Sequence, residues 1–283
     1  SLHDALPISA AGCEPLTNGA FVISGSDMGH SGPSGDFGQD PQKRADFAYR
    51  GVHLTALASK KLIAAFYGRK EAYSYFSGCS DGGREALMEV QRYPDDFNGV
   101  IAGAPAMNFQ VQNSVYHAWQ ARSNTGADGK PILTAERMPI LHAAIVAACD
   151  KLDGLEDGVL TDPRVCTVDP AIVQCAAGAT DTTKCLTAAE VGAARKLYDG
   201  PRDAATGDRL TIGGPQRGSE LSWAGVFVPR AGSDQIFSER IALDSLRNVI
   251  FATNPAATYG LTDLAFTRAT FETLKAPHAL NDA

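Results

Sequence analysis

The most constraining feature of the sequence is a short glycine-rich stretch, "GCSDGGR", at residues 78–84. An apolar run precedes it, and a segment of helical periodicity, "EALMEVQRY", follows it. The order of strand, tight turn and helix places Ser80 at the centre of a Gly-x-Ser-x-Gly motif. In this setting the motif indicates a nucleophile elbow, a sharp turn that presents a serine hydroxyl at the carboxyl edge of a sheet. The alternative is an ordinary serine in a glycine-rich turn, because the motif alone also occurs by chance.

The elbow has a chemical purpose that explains its residue types. A serine hydroxyl is a weak nucleophile, so it needs a base to take its proton and donors to hold the oxyanion. The turn aims the next backbone N–H, that of Asp81, at the developing negative charge. Glycines flank the serine because the turn is strained and neighbouring backbone lies close. We therefore predict Ser80 as the nucleophile and the Asp81 N–H as one oxyanion-hole donor.

The first hundred residues alternate between strand and helix signals. Apolar runs predict strands at 20–24, 72–77 and 99–105, and helical periodicity predicts helices at 43–67 and 83–92. The third strand is nearly all apolar, as expected of a parallel strand that is buried on both faces. This order predicts the α/β fold class, with a parallel sheet joined by right-handed crossovers.

The second part of the chain has a different character. Four helices are predicted there, at 107–122, 134–149, 187–200 and about 236–252, separated by loops rich in Gly, Pro, Asp and Thr. Regular strand alternation is missing from this part. We therefore predict two domains, a sheet domain at 1–106 and an inserted or lid domain at 107–283.

Composition excludes several functional classes. The 283 residues have a net charge of −7 and no concentrated block of Lys or Arg, so nucleic acid is not an expected partner. No run approaches 18 apolar residues, so no membrane partner is expected either. The opening "SLHDALPIS" lacks the basic and apolar regions of a signal peptide. The sequence does not indicate an oligomeric state.

Six cysteines suggest covalent cross-links in the second domain. Their spacing fits no zinc pattern, and two pairs are local in sequence: Cys149 with Cys166, and Cys175 with Cys185. Loops of this size are readily closed by disulfides, which would place the protein in an oxidising compartment, secreted or periplasmic. The alternative is that these cysteines are buried free thiols.

Residues 78–106, "GCSDGGREALMEVQRYPDDFNGVIAGAPA", closely resemble the tannase/feruloyl esterase family of α/β-hydrolases, and "SGSDMGH" at 24–30 is similar to a loop of that family. The family includes fungal feruloyl esterases, tannases and bacterial mono(2-hydroxyethyl) terephthalate hydrolase. The resemblance implies an α/β-hydrolase core with a large inserted lid. It also implies a serine carboxylic-ester hydrolase whose substrates are small aromatic esters and which needs no organic cofactor.

The chain departs from the family pattern around the catalytic base. Members join a cysteine beside the serine to a cysteine beside the catalytic histidine, and Cys79 matches the first of these. The family's catalytic Asp and Gly-His-Cys follow the lid, whereas here no cysteine follows Cys185. The later histidines, His117, His142 and His278, are not followed by cysteine, and the first two are expected to be packing or surface residues. We therefore expect a partial core, with the catalytic Asp and His beyond residue 283 and a second oxyanion donor upstream.

An acidic loop, "CDKLDGLEDGV" at 149–159, interleaves carboxylates with glycines. Calcium takes six to eight oxygen ligands in flexible geometry, and such a loop can wrap the ion. The resemblance implies a structural Ca²⁺ held by three carboxylates and two backbone carbonyls: those of Asp150, Asp153 and Asp157, with Leu155 and Val159. Glu156 is expected to point away. The alternative is a solvated acidic turn.

Weaker candidates complete the prediction. Arg247 lies four residues before Phe251, and the pair could hold the carboxylate or ring of an aromatic acid, although a surface arginine is the simpler interpretation. His30 is expected to make a structural hydrogen bond, and Arg84 to be an ion-pair or packing residue. Two other functions stay open: a truncated or degenerate non-catalytic homologue, and a different α/β-hydrolase reaction such as acyl transfer or peptide cleavage.

Overall fold

The computed structural model describes residues 21–276. Cys13 and His278 lie outside this range. The strands and α-helices are, in chain order, α1 Pro41–Ala45, α2 Gly51–Tyr67, β1 Tyr75–Cys79, α3 Asp81–Arg92, β2 Gly99–Gly103, α4 Phe109–Val111, α5 His117–Ser123, α6 Met138–Cys149, α7 Ala188–Asp199, α8 Phe237–Asn248 and α9 Arg268–Lys275. Short 3₁₀ helices lie at Gly35–Gln39, Ala135–Arg137, Asp150–Asp153, Pro163–Val165, Pro170–Val173, Glu220–Trp223 and Leu261–Asp263. Among these helices, none is both long enough and apolar enough to cross a membrane.

A parallel β–α–β unit confirms the predicted α/β character. Strands β1 and β2 pair in parallel from Tyr75 opposite Gly99 to Cys79 opposite Gly103, and α3 joins them. Burial alternates along β1, with Phe76 and Gly78 more buried than their neighbours. The predicted burial of the third strand on both faces is wrong, because Ile101 in the middle of β2 remains 66% exposed. Helix α3 packs on both strands, so the side of the sheet that faces α3 is covered.

Two segments differ from their predicted structure. Residues 21–24 form no strand, and their apolar side chains are exposed; a strand needs a neighbour for its backbone N–H and C=O groups, and the sheet of the described residues contains only β1 and β2. The helix predicted at 43–67 is present but is interrupted by a π-helical turn at Asp46–Arg50. A second π turn, Gln112–Tyr116, interrupts the helix predicted at 107–122.

The chain divides into two compact units. Among the described residues, the first unit contains the chain up to Gln112, Asp244–Ala257 and the stretch from Thr273. The second contains Asn113–Leu243 and Thr258–Glu272. The functional assignment of a sheet domain and a lid domain stays a prediction.

The second unit has a core built mainly from α6, α7 and Trp223, which is 1% exposed. Helix α7 begins at a capping box: the Thr187 hydroxyl accepts the Glu190 N–H, and the Glu190 carboxylate accepts the Thr187 N–H. Both predicted disulfides are present, Cys149–Cys166 and Cys175–Cys185. The first of these bonds lies within the buried core of the unit.

Helix α3 buries two carboxyl groups in the first unit. Glu85 is 4% exposed and Glu89 is 1% exposed. Burial raises the pKa of each to about 8, and nearby Asp96 further raises that of Glu89. Oδ2 of Asp96 lies 2.6 Å from Nδ1 of His53. Both glutamates are therefore protonated and uncharged near neutral pH, which permits their burial.

This burial predicts the direction of the pH dependence of stability. In the unfolded chain both glutamates ionise near their ordinary pKa of 4.5, but in the folded protein they ionise only near 8. Between these values the folded state binds more protons, so the free energy of unfolding should fall as pH rises from about 4.5 to about 8. The double variant Glu85→Gln/Glu89→Gln should flatten this fall in urea-melt series. An unchanged slope in the variant would contradict the assignment.

Candidate active site

The turn between β1 and α3 has the backbone geometry of a nucleophile elbow. Ser80 has φ 61° and ψ −115°, a conformation that non-glycine residues rarely adopt. Its side chain is exposed at the carboxyl end of β1. Its carbonyl oxygen accepts the N–H groups of Gly83, Arg84 and Ala106 at 3.0–3.2 Å, and its own N–H donates to Gly103. These four backbone bonds hold a strained residue in place, which is typical of functional turns.

Glycine is required at particular positions around the turn. A Cβ atom on Gly83 would lie 2.5 Å from the Gly103 carbonyl oxygen and 2.7 Å from Cα of Pro105. A Cβ atom on Gly78 would overlap the backbone of Gly82. Gly82 itself has open space where its Cβ would be. The close approach predicted for the motif glycines is therefore confirmed at Gly78 but not at Gly82, and Gly83, outside the motif, shares it.

The residue after the nucleophile is fixed by a buried arginine. Asp81 is the first residue of α3, and Arg84 lies one turn later. Arg84 Nε donates to Asp81 Oδ1 at 2.7 Å, and Nη2 approaches Asp81 Oδ2 at 3.3 Å. The predicted ion-pair and packing role of Arg84 is confirmed.

The described histidines after the elbow have partners other than Ser80. His117 is 7% exposed and its Nδ1 lies 3.0 Å from the Ser238 hydroxyl. Burial lowers its pKa to about 4, so the ring is neutral at physiological pH. His142 Nδ1 lies 2.8 Å from Oε2 of the fully buried Glu220. Both are packing residues, as predicted.

Cys79 lies beside the nucleophile, and His30 lies in the segment before the sheet. Cys79 is an exposed free thiol directly before Ser80. His30 packs by its ring, which stacks on Phe37 with centroids 4.2 Å apart and meets Phe47 edge-on. The hydrogen bond predicted for His30 is not seen at its Nδ1, which is buried without a partner among residues 21–276.

The residues predicted to bind substrate lie at the end of α8. Arg247 is in the last turn of the helix and Phe251 follows it, both partly buried. The Phe251 carbonyl accepts Arg44 Nη1 at 2.8 Å, and the nearby Ile250 carbonyl accepts the Gln110 side chain at 2.7 Å. The segment therefore belongs to the same compact unit as the elbow. Binding of an aromatic acid here stays a prediction.

The acidic loop holds its carboxylates in turns of its own backbone. Asp150 accepts the Gly158 N–H, Asp153 accepts those of Leu155 and Thr161, and Asp157 accepts that of Val159, all at 2.9–3.0 Å. The Glu156 side chain pairs with Lys151 at 3.1 Å instead. Among residues 21–276, no group of three or more His, Cys, Asp or Glu side chains is close enough together to hold a metal ion.

Sequence reasoning missed how the elbow is anchored. The structure connects Arg84 to the carbonyl oxygens of Phe47 and Ala48, which lie in the first π turn. The local signal for the ion pair was the spacing of three between Asp81 and Arg84 on a helix. No local signal indicated the distant carbonyls, because a π turn has no distinctive sequence.

Comparison with known proteins identifies similar chains. The family model described as tannase and feruloyl esterase matches residues 2–283. A probable feruloyl esterase B of Aspergillus clavatus is 38% identical over 209 residues, which cover 73% of this chain and 39% of the relative. Feruloyl esterase B of Aspergillus niger is 36% identical over 231 residues, covering 78% of this chain and 44% of the relative.

Solved structures agree with these matches. The crystal structure of feruloyl esterase B from Aspergillus oryzae superposes with a TM-score of 0.75 at 29% identity, covering 94% of this chain and 50% of the other. An esterase from Aspergillus oryzae gives a TM-score of 0.74 at 31% identity, with 90% and 48% covered. The described fold is therefore that of a feruloyl esterase-like α/β-hydrolase. The chain spans about two-fifths to one-half of the length of these proteins.

The neighbouring glycines of the elbow give a matched test of its packing. Gly83→Ala should destabilise the protein by about 1–3 kcal/mol, because its methyl group would meet the backbone of Gly103 and Pro105. Gly82→Ala should be tolerated, since nothing lies within 4 Å of the added atom and alanine favours a helix. Denaturant melts compare the two variants. Equal stability of both would contradict the close approach.

Proposed function

The chain belongs to the tannase and feruloyl esterase family, and from this premise we propose that it is the nucleophile-bearing part of a serine carboxylic-ester hydrolase acting on esters of phenolic and related aromatic acids. The single observation that supports this best is the geometry of Ser80. Its φ of 61° between a parallel strand and a helix exposes the hydroxyl at the sheet edge. A structural serine has no need of that strained conformation.

The proposed reaction proceeds through an acyl-enzyme. The Ser80 hydroxyl loses its proton to a general base and attacks the ester carbonyl carbon. The Asp81 N–H donates to the resulting oxyanion, and collapse of the tetrahedral intermediate expels the alcohol. Water then attacks the acyl-serine ester, which releases the aromatic acid and restores the hydroxyl. The described histidines with hydrogen bonds are engaged elsewhere, so the base is not assigned to any of them.

We further propose that the first unit is part of a larger hydrolase core and that most of residues 107–283 form an inserted lid domain. The support is the surface of the first unit. Its sheet has two described strands, and apolar side chains on its regular elements are exposed, among them Leu62, Phe66, Tyr75 and Ile101. A larger core would bury these exposed apolar side chains. Arg247 and Phe251 would contribute to substrate binding.

Calcium is proposed as a structural ion of the acidic loop. The donor chemistry fits, because Asp150, Asp153 and Asp157 offer carboxylates and Leu155 and Val159 offer carbonyls within eleven residues. Gly154 and Gly158 have positive φ values, which let the loop turn tightly. The carboxylates now bond loop amides, so calcium binding requires them to turn toward a common point. The ion would stabilise the loop and take no part in the reaction.

An oxidising location is proposed on the basis of the cross-links. Two disulfides in one chain are rare in reducing compartments and frequent in exported proteins. We therefore propose a secreted or periplasmic protein whose partner is a small aromatic ester.

The proposed reaction is tested by turnover of methyl ferulate and methyl gallate by the full-length protein. Ser80→Ala should lower kcat at least about 1,000-fold, because the nucleophile is lost while the fold is kept. Ser77→Ala is the matched control, since Ser77 is exposed on β1 of the same turn region. Retained turnover in Ser80→Ala would rule out the acyl-enzyme. No turnover by the unsubstituted protein would favour a non-catalytic homologue.

Calcium binding is tested by thermal melts in calcium and in chelator. We expect a higher Tm in calcium, because a ligand of the native state alone stabilises it. Asp153→Asn should remove most of this shift, whereas Glu156→Gln should preserve it because Glu156 pairs with Lys151. Coincident melts with and without calcium would contradict the proposal.

A further inference from the structure

We infer that Arg84 is a positioning residue that aims the oxyanion-hole N–H of Asp81, acting through the Asp81 carboxylate. This inference rests on the proposed function of Ser80. It adds a residue whose side chain acts through Asp81, although its backbone N–H also donates to the Ser80 carbonyl. The observations behind it are the geometry of one buried guanidinium and the helical turn to which it is bonded.

The first observation is the two-point contact of Arg84 with Asp81. Nε and Nη2 of the guanidinium approach the two carboxylate oxygens separately, at 2.7 Å and 3.3 Å. A two-point contact fixes both the position and the plane of the carboxylate. The Asp81 side chain retains 17% exposure, whereas that of Arg84 is fully buried.

The second observation is that Arg84 is itself fixed by a separate part of the fold. Nη1 donates to the Ala48 carbonyl at 2.9 Å, and Nη2 donates to the Phe47 carbonyl at 3.0 Å. The guanidinium also lies over the ring of Phe47 at 4.6 Å and near that of Phe109 at 5.4 Å. Its position is therefore determined by the π turn and by two buried rings.

The π turn gives this anchor a structural reason. In the π turn Asp46–Arg50, the N–H of Gly51 bonds the carbonyl of Asp46, five residues earlier, so the usual helical register is interrupted. Carbonyls at such an interruption are available to side-chain donors, and π turns are frequent at functional sites. The Phe47 and Ala48 carbonyls are used in this way by Arg84.

The N–H and the carboxylate of Asp81 are both carried by the first residue of α3. A tilt or unwinding of this first turn would move Cα of Asp81, and with it both the N–H and the carboxylate. The contact with Arg84 opposes that movement. Burial alone would lower the pKa of Arg84, but Asp81 raises it above its ordinary value, so the guanidinium stays charged.

Lysine cannot reproduce this arrangement. Its ammonium is a single point, whereas Arg84 makes a planar contact with Asp81 and reaches two carbonyls at the same time. Arg84→Lys keeps the charge and loses the geometry. Asp81→Asn keeps the shape and the backbone N–H but loses the charge that Arg84 holds. The two substitutions therefore test the same contact from both ends.

The experiment measures kcat and KM of the full-length protein on methyl ferulate, corrected for the folded fraction from denaturant melts. Each single variant should lower kcat about 10- to 100-fold and change KM less than about twofold. The reason is that a displaced Asp81 N–H stabilises the transition state less well but affects substrate binding little. The double variant should be no slower than the slower single variant, because both changes break one contact. Arg195→Lys is the matched control, since Arg195 makes a similar contact with Asp169 at the surface.

Several outcomes would overturn the inference. If both variants lose stability but keep kcat within about twofold per folded molecule, Arg84 is structural only. Multiplicative losses in the double variant would show that Arg84 does not act through Asp81. If Arg84→Lys does not fold, Asp81→Asn decides alone, and unchanged kcat refutes the inference. Full turnover in Ser80→Ala would instead reject the proposed function, so the two failures are distinguishable.

Discussion

The buried charge of Arg84 holds the nucleophile turn in place. Arg84 is fully buried, and a buried guanidinium is tolerated only when nearly all of its N–H groups are bonded. Its partners come from two places: the Asp81 carboxylate beside the nucleophile, and the carbonyls of the π turn before α2. Loss of the Asp81 carboxylate would leave the charge uncompensated, and loss of either carbonyl would leave a buried N–H without a partner. The start of α3 and the π turn are therefore held in one arrangement.

The strained backbone at Ser80 depends on this arrangement. A positive φ at a serine is unfavourable by itself, so the surrounding structure must over-determine it. The Ser80 carbonyl accepts three N–H groups, two of them from the first turn of α3 and one from Ala106 after β2. Close approach of Gly83 to Gly103 allows α3 to lie against the strand ends. The local strain is thus offset by bonds from the first turn of α3 and from the segment after β2.

The sequence predicts the parts of this site that have local causes. The elbow follows from glycines and a serine within five residues, the start of α7 follows from Thr187 and Glu190, and both disulfides follow from short spacings. The π turn was not predictable, because it inserts one residue into a helix without a characteristic pattern. The strand predicted at 20–24 was wrong because an apolar run becomes a strand only beside a pairing partner. Position in the fold, which pattern alone does not reveal, decided these cases.

Position in the fold also determines the electrostatics of α3. Asp81, Glu85 and Glu89 recur at every fourth position and so lie on one face of α3. This face turns inward: the Asp81 carboxylate accepts Arg84 Nε at 2.7 Å, whereas burial raises the pKa of Glu85 and Glu89 to about 8. A neutral glutamic acid next to the Arg84–Asp81 pair does not compete for the guanidinium. Because the raised pKa keeps Glu85 protonated near neutral pH, the Asp81 carboxylate is the one that pairs with Arg84.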